Sequence, residues 1–466
     1  MRTITFKLLL LALPIIALIG CSASPQSVVS DASKAMGGDN LKSIEYSATG
    51  FAYVVGQAAS PTLPWPKFNA KSYTRAINYE TPALRQTLVR TQFENPPHGG
   101  GNQPIIGENS ATITTGGSSP WAAQSEIWIT PHGFLKGAAA NNATLASQSV
   151  DGKQYNVLSF TAQGKYKFNG YVNSDNMVEK VETWVDNPVL GDMPVVTTYS
   201  DYKDFGGVKF PSKIMQTQGG YPSLDVTVND VKVNTDPKIE VAPAADPGSV
   251  TSEKIANGVY FLRRGNYNSV VVEFNDHIAV IEGPLSDEQS TLVIAETKKL
   301  VPNKPIKYVV NSHQHFDHAG GLRPFVAEGA TIVTHEMNKP YYEKTLAMPH
   351  TLAAANIASK TPTFETLTDK KVLTDGKRTL EIHLIQGNPH NDAFLMAYLP
   401  AERILVEADA FTPPPAANTP RPNPPSPAAT NMADNLQRLK IDYQTILPLH
   451  GRKSTRAEYM RWIAKS

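Results

Sequence analysis

The sequence predicts a mostly antiparallel β domain followed by an α/β domain, and three observations lead to this prediction. The 466 residues are too many for one ordinary domain. Runs of β-branched and aromatic residues separated by turn signals fill the first half, whereas short apolar strands alternate with helical spacing in the second. A linker rich in proline and alanine, residues 241–249, separates the predicted domains at 21–240 and 250–466.

The overall composition excludes several classes of protein. The net charge is +1 and 18% of the residues are charged, so no basic excess indicates a partner nucleic acid. No heptads or short repeats stand out that would indicate a coiled coil or a solenoid. Cys21 is the one cysteine of the chain, so the domains after it contain no disulfide and no thiolate metal ligand.

The N-terminus has the pattern of an export signal. Two basic residues precede an apolar run over residues 8–20, which is shorter than the ~20 residues that a spanning helix needs. The run ends in Leu18-Ile19-Gly20-Cys21, which resembles the lipobox of bacterial lipoproteins, although an ordinary cleaved secretory signal is an alternative. The resemblance implies a signal peptide over 1–20 and a lipid on the Cys21 thiol. Because Ser22 and not aspartate follows, it also implies anchoring in the outer membrane, facing the periplasm.

The first domain contains a succession of predicted strands. A short helix could begin at Asp31 and would stop at Gly37-Gly38. The predicted strands are Ile44–Tyr53, Thr87–Phe93, Glu126–Ile129, Tyr155–Thr161, Tyr166–Val172, Val178–Val185, Val195–Phe205 and Leu224–Val231. Turn signals such as Asp151-Gly152 separate them, so the strands are expected to form hairpins in one large antiparallel sheet. The pattern resembles the half-barrel of bacterial lipoprotein carriers.

The second domain alternates strands and helices. Three strands, Gly258–Leu262, Ser269–Phe274 and Ile278–Ile281, are followed by a helix that Ser286 caps and that runs to about Leu300. A strand over Ile306–Val310, a turn, a helix, a strand over Ala330–Thr334 and a helix near Glu336–Leu346 come next. This alternation is typical of an α/β layered domain.

A turn rich in histidine follows the Ile306–Val310 strand and precedes a helix that begins after Gly320-Gly321. It contains His313, His315, Asp317 and His318, whose imidazole and carboxylate groups are suitable ligands for Zn²⁺. The alternative is a surface loop that happens to be rich in histidine. Four such groups within six residues would repel one another or lose solvation without a cation, so the turn predicts a metal site.

The stretch Val250–Ser466 resembles the metallo-β-lactamase superfamily, whose fold is a four-layer αβ/βα sandwich with one or two metals at the rim of its sheets. His390, between two predicted strands, is similar to the third histidine of the first metal site. Asp409, after the strand Ile404–Val406, is similar to the carboxylate that bridges two metals in glyoxalase II and the lactonases. His450, before Gly451, is similar to the last ligand of the second site.

The resemblance implies two Zn²⁺ ions per chain. One would be bound by His313, His315 and His390, the other by Asp317, His318 and His450, and Asp409 would be shared. Two departures from the family pattern stand out. Glu282 occupies a position where most members have aspartate, and Phe411–Pro427 is a proline-rich loop that is either a flexible surface insertion or a lid over the metals.

The implied function is a zinc-dependent hydrolase of a small-molecule ester, lactone, thioester or amide, in which a metal-bridging hydroxide attacks the substrate. Asp317 would be catalytic as well as a ligand, because it can steer the proton of the nucleophile. One alternative is a mononuclear iron persulfide dioxygenase of the same fold, and another is a lipid or lipoprotein carrier with a secondary hydrolase domain. The substrate itself and the oligomeric state are beyond the sequence.

Several residues near these motifs have ordinary structural interpretations. His335 and His383 are expected to be structural histidines, and Trp65 a packing residue between two prolines. His98 lies in a glycine-rich loop, where it is either solvated or able to reach a substrate. The pair Asn391-Asp392 is close enough to His390 to accept a hydrogen bond from its ring.

Overall fold

The computed structural model describes residues 23–243, 246–416 and 418–464. The predicted signal peptide and the lipidated Cys21 lie outside these residues. Among the helices that are described, none has the length and apolar character that crossing a membrane would require. The described chain contains three sheets, of eleven, seven and six strands.

The first domain is built on the eleven-stranded sheet, in which every neighbouring pair of strands is antiparallel. Its elements are α1 (Pro25–Ala35), β1 (Ser43–Tyr53), β2 (Lys67–Asn78), β3 (Ala83–Gln92), β4 (Asn109–Thr115), α2 (Trp121–Trp128), α3 (Pro131–Ala140), β5 (Thr144–Val150), β6 (Lys153–Ala162), β7 (Tyr166–Val172), β8 (Val178–Asn187), β9 (Gly191–Phe205), β10 (Val208–Gln218) and β11 (Tyr221–Val233). The strand order is β4-β3-β2-β1-β11-β10-β9-β8-β7-β6-β5. The prediction of a large antiparallel sheet is therefore confirmed.

One predicted strand of this domain is wrong. Glu126–Ile129 lies at the end of α2 and in the turn to α3, which Thr130 caps by accepting a hydrogen bond from the amide of Gly133. A short apolar run in a sequence does not distinguish a strand from a buried helix. In the structure, the Ile127 side chain belongs to the same apolar core as Phe134 of α3. The likeness of this domain to lipoprotein carriers stays a prediction.

The second domain contains the other two sheets, whose strands follow in chain order. The seven-stranded sheet and its helices comprise β12 (Thr251–Ala256), β13 (Val259–Arg264), β14 (Tyr267–Glu273), β15 (Ile278–Ile281), α4 (Asp287–Leu300), β16 (Ile306–Val310), α5 (Phe316–Ala319), α6 (Leu322–Glu328), β17 (Thr331–His335), α7 (Lys339–Thr345) and β18 (Thr363–Leu367). The six-stranded sheet and its helices comprise β19 (Lys370–Thr374), β20 (Thr379–Leu384), β21 (Leu395–Leu399), β22 (Ile404–Glu407), α8 (Pro427–Arg438), β23 (Thr445–Pro448), β24 (Ser454–Thr455) and α9 (Arg456–Ile463).

Alternate residues of the seven-stranded sheet face different partners. Val270 and Val272 belong to the apolar core that also contains the six-stranded sheet, together with Met432 of α8 and Tyr459 of α9. Val271, between them, belongs to a second core with α4, α6 and α7. The side-chain period of a strand therefore divides this sheet between two packing layers.

The α/β class predicted for the second domain does not describe the chain as a whole. Helices are few among the described residues, so the fold is a β-rich mixed fold and not an α/β fold. The predicted helix after Ser286 is confirmed as α4, with Ser286 accepting a hydrogen bond from the amide of Gln289. The four-layer arrangement implied by the resemblance stays a prediction.

The two domains contact each other. The tip of the β8–β9 hairpin places Val189 in the apolar core of α4 and α6, and the amide of Asp192 donates to the carbonyl of Pro349. The connection between β1 and β2, residues 54–66, extends to the histidine-rich turn. The predicted domain boundary at 241–249 is not itself tested by these contacts and stays a prediction.

Candidate metal centre

Each segment that contains a predicted ligand follows the end of a strand. The histidine-rich turn follows β16, His390 lies between β20 and β21, Asp409 follows β22 and His450 follows β23. Strands β15 to β18 are parallel in one sheet and β22 and β23 are parallel in the other, so within each sheet their carboxyl ends lie at one edge. The clustering of the ligand side chains shows that these two edges adjoin. This is where sheets of this kind usually place functional groups.

The first group of side chains contains His313, His315, His390 and Asp409, each of which has one ligand atom within 4.8 Å of the others. The Nε2 atoms of His313 and His390 are 3.2 Å apart. The Oδ2 atom of Asp409 is 3.0 Å from His390 Nε2 and 3.8 Å from His313 Nε2.

The second group contains Asp317, His318, His450 and again Asp409, with one ligand atom of each within 4.8 Å of the others. The Nε2 atoms of His318 and His450 are 3.0 Å apart. The Oδ1 atom of Asp409 is 3.1 Å from both of these nitrogens, and Asp317 Oδ2 is 3.5 Å from His450 Nε2. The structure thus places all seven predicted ligands together, with one oxygen of Asp409 towards each group.

The chemistry of these donors fits two divalent cations. The pairs of imidazole nitrogens lie at 3.0 and 3.2 Å, close to the about 3.3 Å that separates neighbouring ligand atoms in a tetrahedral zinc site with bonds of about 2.0–2.1 Å. Among the described residues, the Nδ1 atom of His315 is a buried atom without a hydrogen-bond partner. Buried polar atoms are usually satisfied, so this nitrogen indicates a missing electrophilic partner.

The electrostatics of the two groups differ. Burial lowers the pKa of His313 and lowers the pKa of His315 to about 3, so both imidazoles are neutral at pH 7, as a metal ligand requires. Burial opposes protonation of His450, but the carboxylates of Asp409 and Asp317 raise its pKa to about 10. A cation bound to the second group would replace the proton on His450, so metal binding there is expected to weaken as pH falls.

Hydrogen bonds orient the imidazole rings of the predicted ligands through the ring nitrogen that faces away from the centre. Glu282, which is fully buried, accepts from the Nδ1 atom of His318 at 2.9 Å and also bonds the hydroxyl of Ser312. The Nδ1 atom of His450 is 3.0 Å from the carbonyl of Asn266. The Nε2 atom of His315 donates to the carbonyl oxygen of Ala58 at 2.8 Å. Such contacts fix which ring nitrogen faces the metal.

One expectation about neighbouring residues needs correction. Asn391 donates to the Oε1 atom of Gln314 at 2.9 Å, and Asp392 bonds the Nε2 atom of His98 at 3.1 Å, so both bond elsewhere and not to the ring of His390. His98 therefore lies at the contact between the domains. Glu282, despite replacing the usual aspartate, does reach His318.

A cavity of about 760 Å³ opens onto the two groups. Both domains line it, through residues Gln57, Pro97, Gly99, Gly101, Asn102, Gln103, Pro104, Asn266, Tyr267, Asp317, Pro389, His390, Asp409, Ala410, Phe411, Thr412, Pro422, Ser426, Pro427, Ala428, Ala429, His450 and Trp462. The proline-rich loop 411–427 thus contributes part of the wall. None of the described lining residues is lysine or arginine.

Sequence reasoning missed the residues that approach from outside the motifs. Gln57 and Ala58 belong to the first domain, about 260 positions before the turn that they contact. Tyr267 pairs with His450 through an isolated antiparallel bridge, with the ring centroids 5.1 Å apart. No motif marks these residues, because their proximity arises from tertiary packing.

Comparison with known proteins agrees with this geometry. Residues 262–450 match the family description "Metallo-beta-lactamase superfamily". The chain is 23% identical over 224 residues to the 2,4-dinitroanisole O-demethylase subunit alpha of Nocardioides sp. (strain JS1661), a match over 46% of this chain and 63% of that protein. It is 33% identical over 78 residues to a linear primary-alkylsulfatase of Pseudomonas sp., a match over 16% of this chain and 11% of that protein.

A solved metallo-beta-lactamase from Pontibacter korlensis is 20% identical, with 46% of this chain and 97% of that chain covered and a TM-score of 0.36. The chain spans less than two thirds of the length of either curated relative. The C-terminal domain is therefore a domain of the metallo-β-lactamase superfamily, with a His/Asp cluster suited to divalent metal.

Proposed function

We propose that the chain is a zinc-dependent hydrolase with two cations per chain, acting on a neutral ester, lactone, thioester or amide. The observation that supports this most directly is the sharing of Asp409 between two ligand groups, with Oδ2 3.0 Å from His390 Nε2 and Oδ1 3.1 Å from His318 and His450. Two zinc ions in these positions would supply an ionised water near neutral pH and a Lewis acid for the substrate oxygen.

Asp317 is the residue proposed to accept the proton of the attacking water. Burial opposes its ionisation, but without a cation the positive charge on His318 holds the pKa of the Asp317 carboxyl below its usual range. A bound cation would favour the carboxylate in the same way, so it is present at neutral pH. Its Oδ1 atom accepts a hydrogen bond from the side-chain amide of Gln57 at 2.9 Å. Its Oδ2 atom therefore faces His450. A fixed carboxylate at the cavity wall can hold and redirect a proton without reorientation.

Tyr267 is proposed to hydrogen-bond the substrate. It lines the cavity beside His450, and burial raises the pKa of its phenol. The hydroxyl is therefore protonated across the physiological range and can donate to a carbonyl oxygen on which negative charge develops.

The cavity supports a neutral substrate. An anionic ester would normally bind to arginine or lysine beside the reacting centre. The described lining contains neither, and it combines aromatic side chains such as Phe411 and Trp462 with uncharged polar ones such as Gln103. An uncharged carbonyl substrate fits this lining better than a sulfate or phosphate ester.

A substrate screen with metal analysis tests the proposal. Full-length chain loaded with zinc would be assayed against lactones, thioesters, β-lactams and phosphodiesters. We expect hydrolysis of a neutral acyl substrate that a chelator abolishes and Zn²⁺ restores. A single iron per chain with oxygen uptake on persulfides, or activity confined to phosphodiesters, would contradict the proposal.

Anchoring to a membrane through a lipid on Cys21 is a further part of the proposal. Cys21→Ser removes the thiol that lipidation needs, so we expect the protein to leave the membrane fraction. The measurement is fractionation after a carbonate wash, with Ser22→Ala as the matched control that keeps the thiol. A Cys21→Ser protein that still sediments with membranes would show that another feature retains it.

A further inference from the structure

A short segment of the first domain lies directly against the proposed metal ligands. Residues 56–59, called the 56–59 segment here, belong to the connection between β1 and β2. The amide of Phe316 donates to the carbonyl of Gly56 at 3.3 Å, and the amide of Asp392 donates to the carbonyl of Ala59 at 2.8 Å. The segment thus bonds to chain on both sides of the centre, near the histidine-rich turn and near His390.

Ala58 determines the tautomer of His315. Its carbonyl oxygen is 2.8 Å from His315 Nε2, and a carbonyl can only accept, so Nε2 must bear the hydrogen. In a neutral imidazole the lone pair is then on Nδ1, which is buried and has no partner among the described residues. The first domain therefore leaves Nδ1 of His315 as the atom available to a cation.

Gln57 fixes the orientation of Asp317. Its Nε2 atom donates to Asp317 Oδ1 at 2.9 Å, while Asp317 Oδ2 remains 3.5 Å from His450 Nε2 and 3.7 Å from His318 Nε2. Rotation of the carboxylate away from these two histidines would break the bond to Gln57. The amide thus favours the rotamer in which Asp317 faces the second ligand group.

Gly56 allows the close approach of the segment. It has φ +75°, and a Cβ atom at this position would lie 2.3 Å from Cγ of Phe316. Phe316 in turn packs edge-on against Trp65, at the far end of the same connection, with ring centroids 6.3 Å apart. Any side chain at position 56 would therefore push the segment away from the turn.

We infer that the 56–59 segment is part of the metal centre, with Ala58 positioning His315 and Gln57 positioning Asp317. The inference rests on the proposed function, because it assigns roles towards the two cations proposed there. It also extends that function, since the superfamily match begins at residue 262 and includes no residue of the first domain. The C-terminal domain would then depend on the first domain to bind its metals tightly.

The test is Co²⁺ titration of the full-length apoprotein, followed by its visible absorption and by chelator competition. Gln57→Ala removes only the amide at Asp317, so we expect affinity for one of two Co²⁺ ions to fall by about tenfold or more while the other is retained. Gly56→Ala displaces the whole segment, so we expect both affinities to fall by about 10–100-fold and the cobalt spectrum to change.

Matched controls separate these effects from general destabilisation. Gly152→Ala introduces a comparable left-handed strain, at φ +79°, where nothing lies within 4 Å of the new Cβ. Gln124→Ala removes an amide that bonds the carbonyl of Ser119 within the first domain. Both should bind Co²⁺ as the wild type does, and thermal unfolding of each apoprotein shows whether it is folded.

The outcomes distinguish this inference from the proposed function. If the wild type binds two Co²⁺ ions and a folded Gln57→Ala protein shows unchanged affinities and spectrum, the inference is wrong and the proposed function stands. If the wild type itself binds no Co²⁺, the proposed function fails. If Gly56→Ala does not fold, the inference is tested by Gln57→Ala alone. This variant shortens a side chain at the cavity wall and leaves the backbone of the segment unchanged.

Discussion

Asp409→Asn is expected to lower the metal content of the purified chain from about two cations to about one and to reduce activity on the order of 10²-fold or more. Asp409 presents one oxygen to each ligand group, 3.0 Å from His390 Nε2 on one side and 3.1 Å from His450 Nε2 on the other. Two dications held side by side repel each other strongly, and a carboxylate between them offsets the repulsion. Asparagine keeps the shape but removes this charge.

The measurement is metal analysis after dialysis against a weak chelator, together with the rate of hydrolysis. Asp392→Asn is the matched control, because this carboxylate lies at the same rim but bonds His98 at 3.1 Å. It should keep both cations. An Asp409→Asn protein that also retains two cations would mean that the carboxylate does not bridge them.

Glu282→Gln is expected to weaken binding of the cation held by His318 by about 10–100-fold. The buried carboxylate of Glu282 accepts from His318 Nδ1 at 2.9 Å and from the amide of Asn311 at 3.2 Å. A charged acceptor behind a ligating imidazole raises the basicity of the nitrogen that faces the metal. Glutamine can still accept a hydrogen bond at this place, but it lacks the negative charge.

Chelator competition on the zinc-loaded protein measures this loss. Glu407→Gln is the matched control, since Glu407 is a buried glutamate at the same rim whose Oε2 atom accepts from the backbone amide of Phe411 at 3.1 Å and not from a ligand histidine. Its exchange for a neutral amide should change metal affinity little. If Glu282→Gln and Glu407→Gln behave alike, the charge of Glu282 has no role at the centre.

The candidate ligands could be found in the sequence because each has a local signal. His313 and Asp317 belong to a compact motif after a strand, and His390, Asp409 and His450 each follow a predicted strand end. The carboxyl ends of such strands meet at one rim, which is where the structure places all seven residues. That they bind metal remains a prediction.

The features that sequence reasoning missed depend on tertiary packing. The contact of Ala58 with His315 joins two domains, and no periodicity or motif encodes which loop reaches the turn. The sequence predicts a strand over Glu126–Ile129, because a glutamate and three apolar residues carry too little pattern to distinguish a strand from a helix. The sequence shows that Glu282 stands where most family members have aspartate, but it does not show whether the longer glutamate side chain reaches His318. Only the distance between the Glu282 carboxylate and His318 Nδ1 in the structure decides this.

Anomalous diffraction at the zinc edge, from crystals of the full-length chain grown with Zn²⁺, tests the dinuclear centre most directly. We expect two peaks, one among His313, His315 and His390 and the other among Asp317, His318 and His450. Each should lie within bonding distance of a different oxygen of Asp409. A single peak with Asp409 unbound, or a signal that appears only at the iron edge, would contradict the dinuclear zinc centre.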